Sequence, residues 1–175
     1  MEVLSAVARL FMSEKLGLPD TETKAIDAKI ALSRGNAKSF LKIYDTMLTS
    51  IPYDIYSREE KRYASKPRES FYHAMLLAML WGAQINVIPE KHSSKGRSDL
   101  EIRINDLHYL VELKVAVGKE ECERTAKEAM KQIFEKGYAS PYEMSGVTLI
   151  AIAVDRKERR VGAHEIREFG GSSDH

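Results

Sequence analysis

The chain has 175 residues, 43% of them hydrophobic and 30% charged, which is enough for one domain with its own core. A formal net charge of +1 excludes a global positive field, so any nucleic-acid binding has to use local patches. The single Cys122 excludes an internal disulfide framework and fits a reducing compartment; the opening MEVLSAVARLFMSEK lacks the basic start of a signal peptide, and no apolar run is long enough to span a bilayer, so a cytoplasmic protein is expected.

Residues 2 to about 16 read as a helix with Val3, Val7, Leu10 and Phe11 on one side. GLPDTET breaks it, and a second helix runs from Thr21 or Thr23 to Ser33. After Gly35-Asn36 a third helix carries Phe40, Ile43, Tyr44, Met47 and Leu48 on one face, and IPYDIYSREEKRYASKP is an irregular connector. Residues 1–65 thus form a helical extension. Pro67 suits the first turn of a helix that stops at Gly82. AQINVIPE reads as a strand, KHSSKG as a polar loop, and RSDLEIRI and HYLVELKV as strands around Asn105-Asp106. An amphipathic helix over 119–138 places Cys122, Ala126, Ala129, Met130 and Ile133 on one stripe. VTLIAIAV is a buried central strand, and RRVGAHEIREF a last strand reached through the polar turn DRKERR, which reads as solvated. GGSSDH, 170–175, is expected to be a disordered tail. The order αβββαβ over 66–169 implies an α/β fold with a mixed sheet.

The two middle strands carry charges where a core is expected. Alternate residues of a strand share a face, so Arg97, Asp99, Glu101 and Arg103 lie opposite the apolar side of Ser98, Leu100, Ile102 and Ile104. Likewise His108, Leu110, Glu112 and Lys114 lie opposite Tyr109, Val111, Leu113 and Val115. A turn at Asn105-Asp106 sets Asp99 against Glu112 and Arg97 against Lys114. Facing carboxylates about 4.5–5.5 Å apart at Cβ repel unless something positive lies between them. A hard divalent ion meets that need, and Lys114 one pleat along then reaches a bound water or a phosphate oxygen, a layout suited to phosphodiester hydrolysis. The same four residues also satisfy a plain salt-bridge quartet with diagonal pairing, and spacing alone leaves both readings open.

At these residues the chain resembles the PD-(D/E)XK nuclease superfamily: Asp99, then Glu112-Leu113-Lys114, on adjacent strands with a helix before and after. ESFYH (69–73), GRSDLEI (96–102), VELK (111–114) and QIFEKGY (132–138) together resemble the branch found behind an AAA-ATPase-like domain in prokaryotic proteins. The helical lead-in RGNAKSFLKIYDTMLTSIPYD is similar to the segment before that nuclease core, and MEVLSAVARLF to the junction after the ATPase part. Ser98 stands where the superfamily's name has proline, and no P-loop pattern occurs in the chain.

The resemblance implies a restriction-endonuclease-like core, a Mg²⁺ or Mn²⁺ cofactor, and hydrolysis of nucleic acid, DNA before RNA, to 5′-phosphate and 3′-hydroxyl ends. It implies Asp99, Glu112 and the Leu113 backbone carbonyl as metal ligands, and Lys114 as the group that positions or deprotonates water. Glu69 and Gln132 are implied as further site residues, Glu69 as a support for the metal; Tyr138 is implied as a polar residue near it. Each has a plainer reading: Glu69 as an acid favoured by a helix dipole, Gln132 as a solvated side chain, Tyr138 as packing. Glu90 is either another ligand or a surface charge at the end of its strand. Lys91, Lys95 and Arg97 form a basic loop beside the site that would grip phosphates, or a solvated one. The competing function is a catalytically silent nucleic-acid-binding or protein-interaction module of a larger ATPase-like protein, and a homo-oligomer is compatible with either.

Overall fold

A computed structural model of the chain describes residues 2–15, 17–18, 20–56, 69–93 and 96–171, with the side chains of 15, 90–93 and 96–98 outside the description. The helices are α1 (Glu2–Leu10), continued by a π-helical segment Phe11–Lys15, α2 (Thr21–Ser33), α3 (Ala37–Ser50), α4 (Glu69–Gly82) and α5 (Lys119–Glu135). The strands are β1 (Asn86–Ser93), β2 (Gly96–Ile104), β3 (Leu107–Ala116), β4 (Val147–Asp155) and β5 (Arg160–Phe169), side by side in chain order in one sheet. Pairing is antiparallel except between β3 and β4, which run parallel because α5 carries the chain across between them. The result is a mixed five-stranded α/β sheet flanked by helices, with a helical N-terminal region, the architecture expected from the sequence. No helix among the described residues is long and apolar enough to cross a membrane.

Both faces of the sheet are covered, which is why β4 reads as an unbroken apolar run and is buried from end to end. One face presents Leu100, Ile102, Tyr109, Val111, Leu113, Ile150 and Ile152 to α2, α3 and α4. The other meets α5, whose Cys122, Ala126, Ala129, Met130 and Ile133 are buried as their spacing predicts. α4 is apolar almost all round and accordingly sits in the interior. Buried tyrosine hydroxyls tie the layers by donating to carbonyls at helix ends: Tyr109 to Leu32 (2.6 Å), Tyr56 to Leu48 (3.0 Å).

Three features differ from expectation. First, α1 turns its large apolar side outward: Val3 is 79% exposed, and Val7, Leu10 and Phe11 are exposed with it. Its small side is buried instead, with Ser5 Oγ donating to Gly82 O (3.1 Å) and Ala8 and Met12 buried beside it. The missing Cβ of Gly82 leaves room for Met12 Cε, and this contact and the Ser5 hydrogen bond hold that face inward. Second, β1 continues through Lys91–Ser93, so most of the expected KHSSKG loop is strand, paired His92↔Arg97 and Ser93↔Gly96. Third, Gly170 and Gly171, expected in the tail, pack on the turn after α5. Gly171 N–H donates to Glu143 O (3.0 Å), and a Cβ on Gly170 would collide with the Tyr142 carbonyl. At the β2–β3 turn, Asn105 alone of the expected pair takes a left-handed φ, 52°.

Gly162 on β5 faces Cys122, and a Cβ there would lie 2.5 Å from Sγ and 3.0 Å from its Cβ. Burial pushes the Cys122 thiol up to about 11, with Asp155 and Glu121 adding to the shift, so this sulfur is packing rather than a nucleophile. Gly162→Ala is expected to destabilise the fold by about 1–3 kcal/mol through overpacking. Adding Cys122→Ala should recover part of the loss in a thermal melt.

Candidate active site

The sheet opens between β2 and β3, and the opening is built by the sequence of the hairpin. Their ladder runs from Ile104↔Leu107 to Leu100↔Val111. Every pair in it has the register expected from a turn at Asn105-Asp106. Asp99 stands one residue beyond its end. There the Asp99 carboxylate, rather than a backbone carbonyl, accepts the Leu113 N–H, at 2.8 Å from Oδ2. In a strand the N–H and C=O of one residue leave on the same edge, so the Leu113 carbonyl belongs to this gap as well.

Glu112 and Lys114 project from β3 toward α5. Their neighbours on parallel β4 are Ala151 and Ala153, small residues that leave room for an acid and a lysine on the covered face. Gln132 of α5 donates Nε2–H to Glu112 Oε1 at 2.9 Å. Lys114 Nζ lies 3.1 Å from Glu112 Oε1, 3.4 Å from Glu69 Oε1 at the start of α4, and 3.8 Å from Asp99 Oδ2. The hairpin, α4 and α5 therefore bring Asp99, Glu112, Lys114, Glu69 and Gln132 together. Side-chain exposure grades outward, from 2% at Glu112 through 25% at Asp99 and 27% at Lys114 to 46% at Glu69. The site is a cleft closed at its acid floor and open on the α4 side.

Three carboxylates around one ammonium leave an excess of two negative charges. Burial raises the Glu112 pKa and Asp99 raises it further; Lys114 opposes both without reversing them. Burial works against the Lys114 ammonium, but Glu112, Asp99 and Glu69 outweigh it and hold its pKa above the usual lysine range. Glu112 Oε2 is buried with no hydrogen-bond partner among the described residues. A buried carboxylate oxygen without a donor is costly, and a cation removes that cost. Among the described residues no three His, Cys, Asp or Glu side chains converge as a full metal cage. The donor set is two carboxylates and a carbonyl, all oxygen, which fits a hard ion that keeps several of its waters and does not fit a closed zinc site.

Some expectations are redirected. Tyr138, expected to approach the site and nucleic acid, is 4% exposed and packs with Leu110, Ala129, Met130 and Ile133. The turn after α5 tucks it inward, so it serves the core. The side chains of Glu90, Lys91 and Arg97, and residue Lys95 altogether, lie outside the described residues. The sequence reading missed Glu101, which is fully buried on the Asp99 face. Tyr142 donates its hydroxyl to Glu101 Oε1, and Arg103 Nε lies 2.7 Å from the same oxygen. Strand alternation placed Glu101 beside Asp99, but its burial under Tyr142 of the segment Ser140–Tyr142 is a contact between residues 41 positions apart.

Residues 67–164 match the family model of the PD-(D/E)XK nuclease superfamily. A protein of Azotobacter chroococcum mcd 1, described as an uncharacterized protein in the vnfD 5' region, is 28% identical over 132 residues. That alignment covers 73% of this chain and 23% of the relative, so the chain spans about a quarter of the relative's length.

Proposed function

Since the chain belongs to the PD-(D/E)XK nuclease superfamily, we propose that it is a divalent-metal-dependent nuclease domain that hydrolyses DNA at the Asp99–Glu112–Lys114 cleft. The observation that carries this reading is the buried, partnerless Glu112 Oε2 beside an uncompensated pair of negative charges. Asp99, Glu112 and the Leu113 carbonyl would hold Mg²⁺ or Mn²⁺, which when bound supplies Lewis acidity at the phosphoryl oxygen and a more acidic water. Gln132 fixes the orientation of Glu112 through its other oxygen. Lys114 would offset the negative charge that develops on the phosphoryl oxygens, and hold the attacking water for proton transfer. Glu69, at the exposed end of the site, would support the ion through water. The products would carry 5′-phosphate and 3′-hydroxyl ends.

The proposed setting is a longer protein with an ATPase-like part, consistent with a relative of which this chain covers 23%. A silent nucleic-acid-binding module is the competing reading, and it requires affinity indifferent to Mg²⁺ and to substitution of Glu112.

The test is incubation of the protein with single-stranded and duplex DNA and RNA in Mg²⁺ or Mn²⁺, beside Asp99→Asn. The asparagine amide oxygen can still accept the Leu113 N–H, so the hairpin is kept. Wild type should cut DNA and stop on chelation, with the variant slower by at least about 10³-fold, the several kcal/mol an ion contributes at ~1.4 kcal/mol per tenfold. Identical traces from both proteins would overturn the assignment.

A further inference from the structure

A second cationic surface lies at the same end of the sheet as the carboxylates. Asp155 is the register partner of Ala116, two residues beyond Lys114 on β3, and Arg156 N–H donates to Ala116 O (3.1 Å). The β4–β5 turn, residues 156–159, therefore begins about 10 Å along the sheet from the level of Lys114, three residues at ~3.3 Å each. Its backbone is held from beneath. Buried Asp155 accepts the N–H groups of Lys157 (2.9 Å) and Glu158 (3.3 Å) through Oδ1 and that of Gly118 (3.0 Å) through Oδ2. Arg156 and Lys157 are exposed on this frame, and neither has an ion-pair partner among the described residues.

Arg159 has φ 56°, the left-handed region where glycine or asparagine costs least. A solvated turn gives no reason for arginine there. The reason lies in where its side chain goes: the guanidinium carbon is 4.4 Å from the Tyr53 ring centroid and 4.8 Å from that of Tyr56. Tyr56 is buried and packs on Phe71 (5.4 Å), two residues along α4 from Glu69, whose carboxylate meets Lys114. Tyr53 is 65% exposed, leaving ring surface free beside the stacked guanidinium. Aromatic packing thus runs from the basic turn to the first turn of α4, the helix that carries Glu69 at its start.

We propose that Tyr53, Arg159, Arg156 and Lys157 form a landing surface for a single strand of nucleic acid leading into the Asp99–Glu112–Lys114 cleft. Tyr53 stacks an unpaired base and the three cations hold the flanking phosphates. A blunt duplex offers its phosphates to the cations but no free base to the ring, so the preferred substrate has an unpaired segment next to the cut: a single strand, an overhang or a flap. What happens at the far end of this path rests on the nuclease reading; the binding itself does not.

The experiment is fluorescence anisotropy on the Asp99→Asn protein in EDTA, with a labelled single-stranded oligonucleotide and a blunt duplex of the same sequence. The single strand should bind more tightly, and Tyr53→Ala and Arg159→Gly should each weaken it by about tenfold. Arg156→Ala and Lys157→Ala should each lower the slope of log affinity against log salt by about 0.7. Arg159→Gly relieves the left-handed backbone, and exposed Tyr53→Ala carries the test if that variant melts early. Unchanged single-strand affinity in both variants, or a duplex bound as tightly as the single strand, overturns the proposal. Cutting by the Asp99-intact protein that ignores Tyr53 and Arg159 overturns it too and leaves the nuclease reading standing. Single-strand binding that falls in these variants, with no cutting by any protein, does the reverse.

Discussion

Glu112→Gln is expected to reduce DNA cutting by at least about 10³-fold and to erase the rise in melting temperature that Mg²⁺ or Mn²⁺ gives the wild-type protein. The glutamine oxygen can still accept from Gln132, so that tie between β3 and α5 survives. The partnerless Oε2 becomes an amide NH₂, which a cation cannot use. The metal-free protein carries a second, independent signature. Burial and the neighbouring Asp99 raise the folded-state pKa of Glu112 above its ordinary value. A raised carboxyl contributes stability that is complete below the unfolded pKa and is lost as pH rises through the folded one, so at neutral pH the ionised side chain is a net cost. The stability of wild type relative to Glu112→Gln should therefore improve as pH falls from neutral toward that raised value. Thermal melts across pH, with and without metal, read both effects. A variant that is still stabilised by metal, or still cuts, would remove Glu112 from the ligand set.

The hairpin was readable because its information is local. A turn at Asn105-Asp106 sets register, strand alternation sets face, and the observed pairs Leu100↔Val111 through Ile104↔Leu107 follow from those two facts. The α5 stripe and the all-apolar β4 are local in the same sense. Periodicity states which residues share a face, however, not which way the face points. On α1 the set Val3, Val7, Leu10 and Phe11 is coherent yet turned outward, because Ser5 and Met12 take the side that meets Gly82 of α4. Tyr138 and Glu101 depend on the turn after α5, whose path sends Tyr138 into the core and brings Tyr142 onto Glu101. The Arg159–Tyr53 stack joins residues more than a hundred positions apart, and nothing in RKERR taken alone distinguishes it from a solvated turn. The site was legible to the extent that it lies on one hairpin. Its reach to Glu69, Gln132 and the basic turn depended on tertiary placement.

Lys114→Met should separate ion affinity from turnover. The ammonium lies within 3.8 Å of three carboxylates, in the electrostatic place a divalent ion would claim. Charges of +1 and +2 about 5 Å apart repel by roughly 1.7 kcal/mol even at the dielectric constant of water, so removing the ammonium should tighten Mn²⁺ binding by about tenfold. Cutting at saturating metal should nevertheless fall by about 10²–10³-fold, the cost of losing one charge-stabilising donor in a transition state. Stability moves in the opposite sense to ion affinity. Burial disfavours the ammonium, but Glu112, Asp99 and Glu69 together raise its pKa. A raised lysine contributes stability that is fully present below its unfolded pKa and lost only as pH rises through the folded one. At neutral pH the methionine variant forfeits all of it: its metal-free melting temperature should fall, then recover when Mn²⁺ is bound by Asp99 and Glu112. Calorimetric titration with Mn²⁺, cleavage at saturating metal and melts in both states measure the three consequences. Weaker Mn²⁺ binding by the variant would show that the ammonium supports the ion rather than competing with it, and undiminished cutting would place the chemistry elsewhere in the cleft.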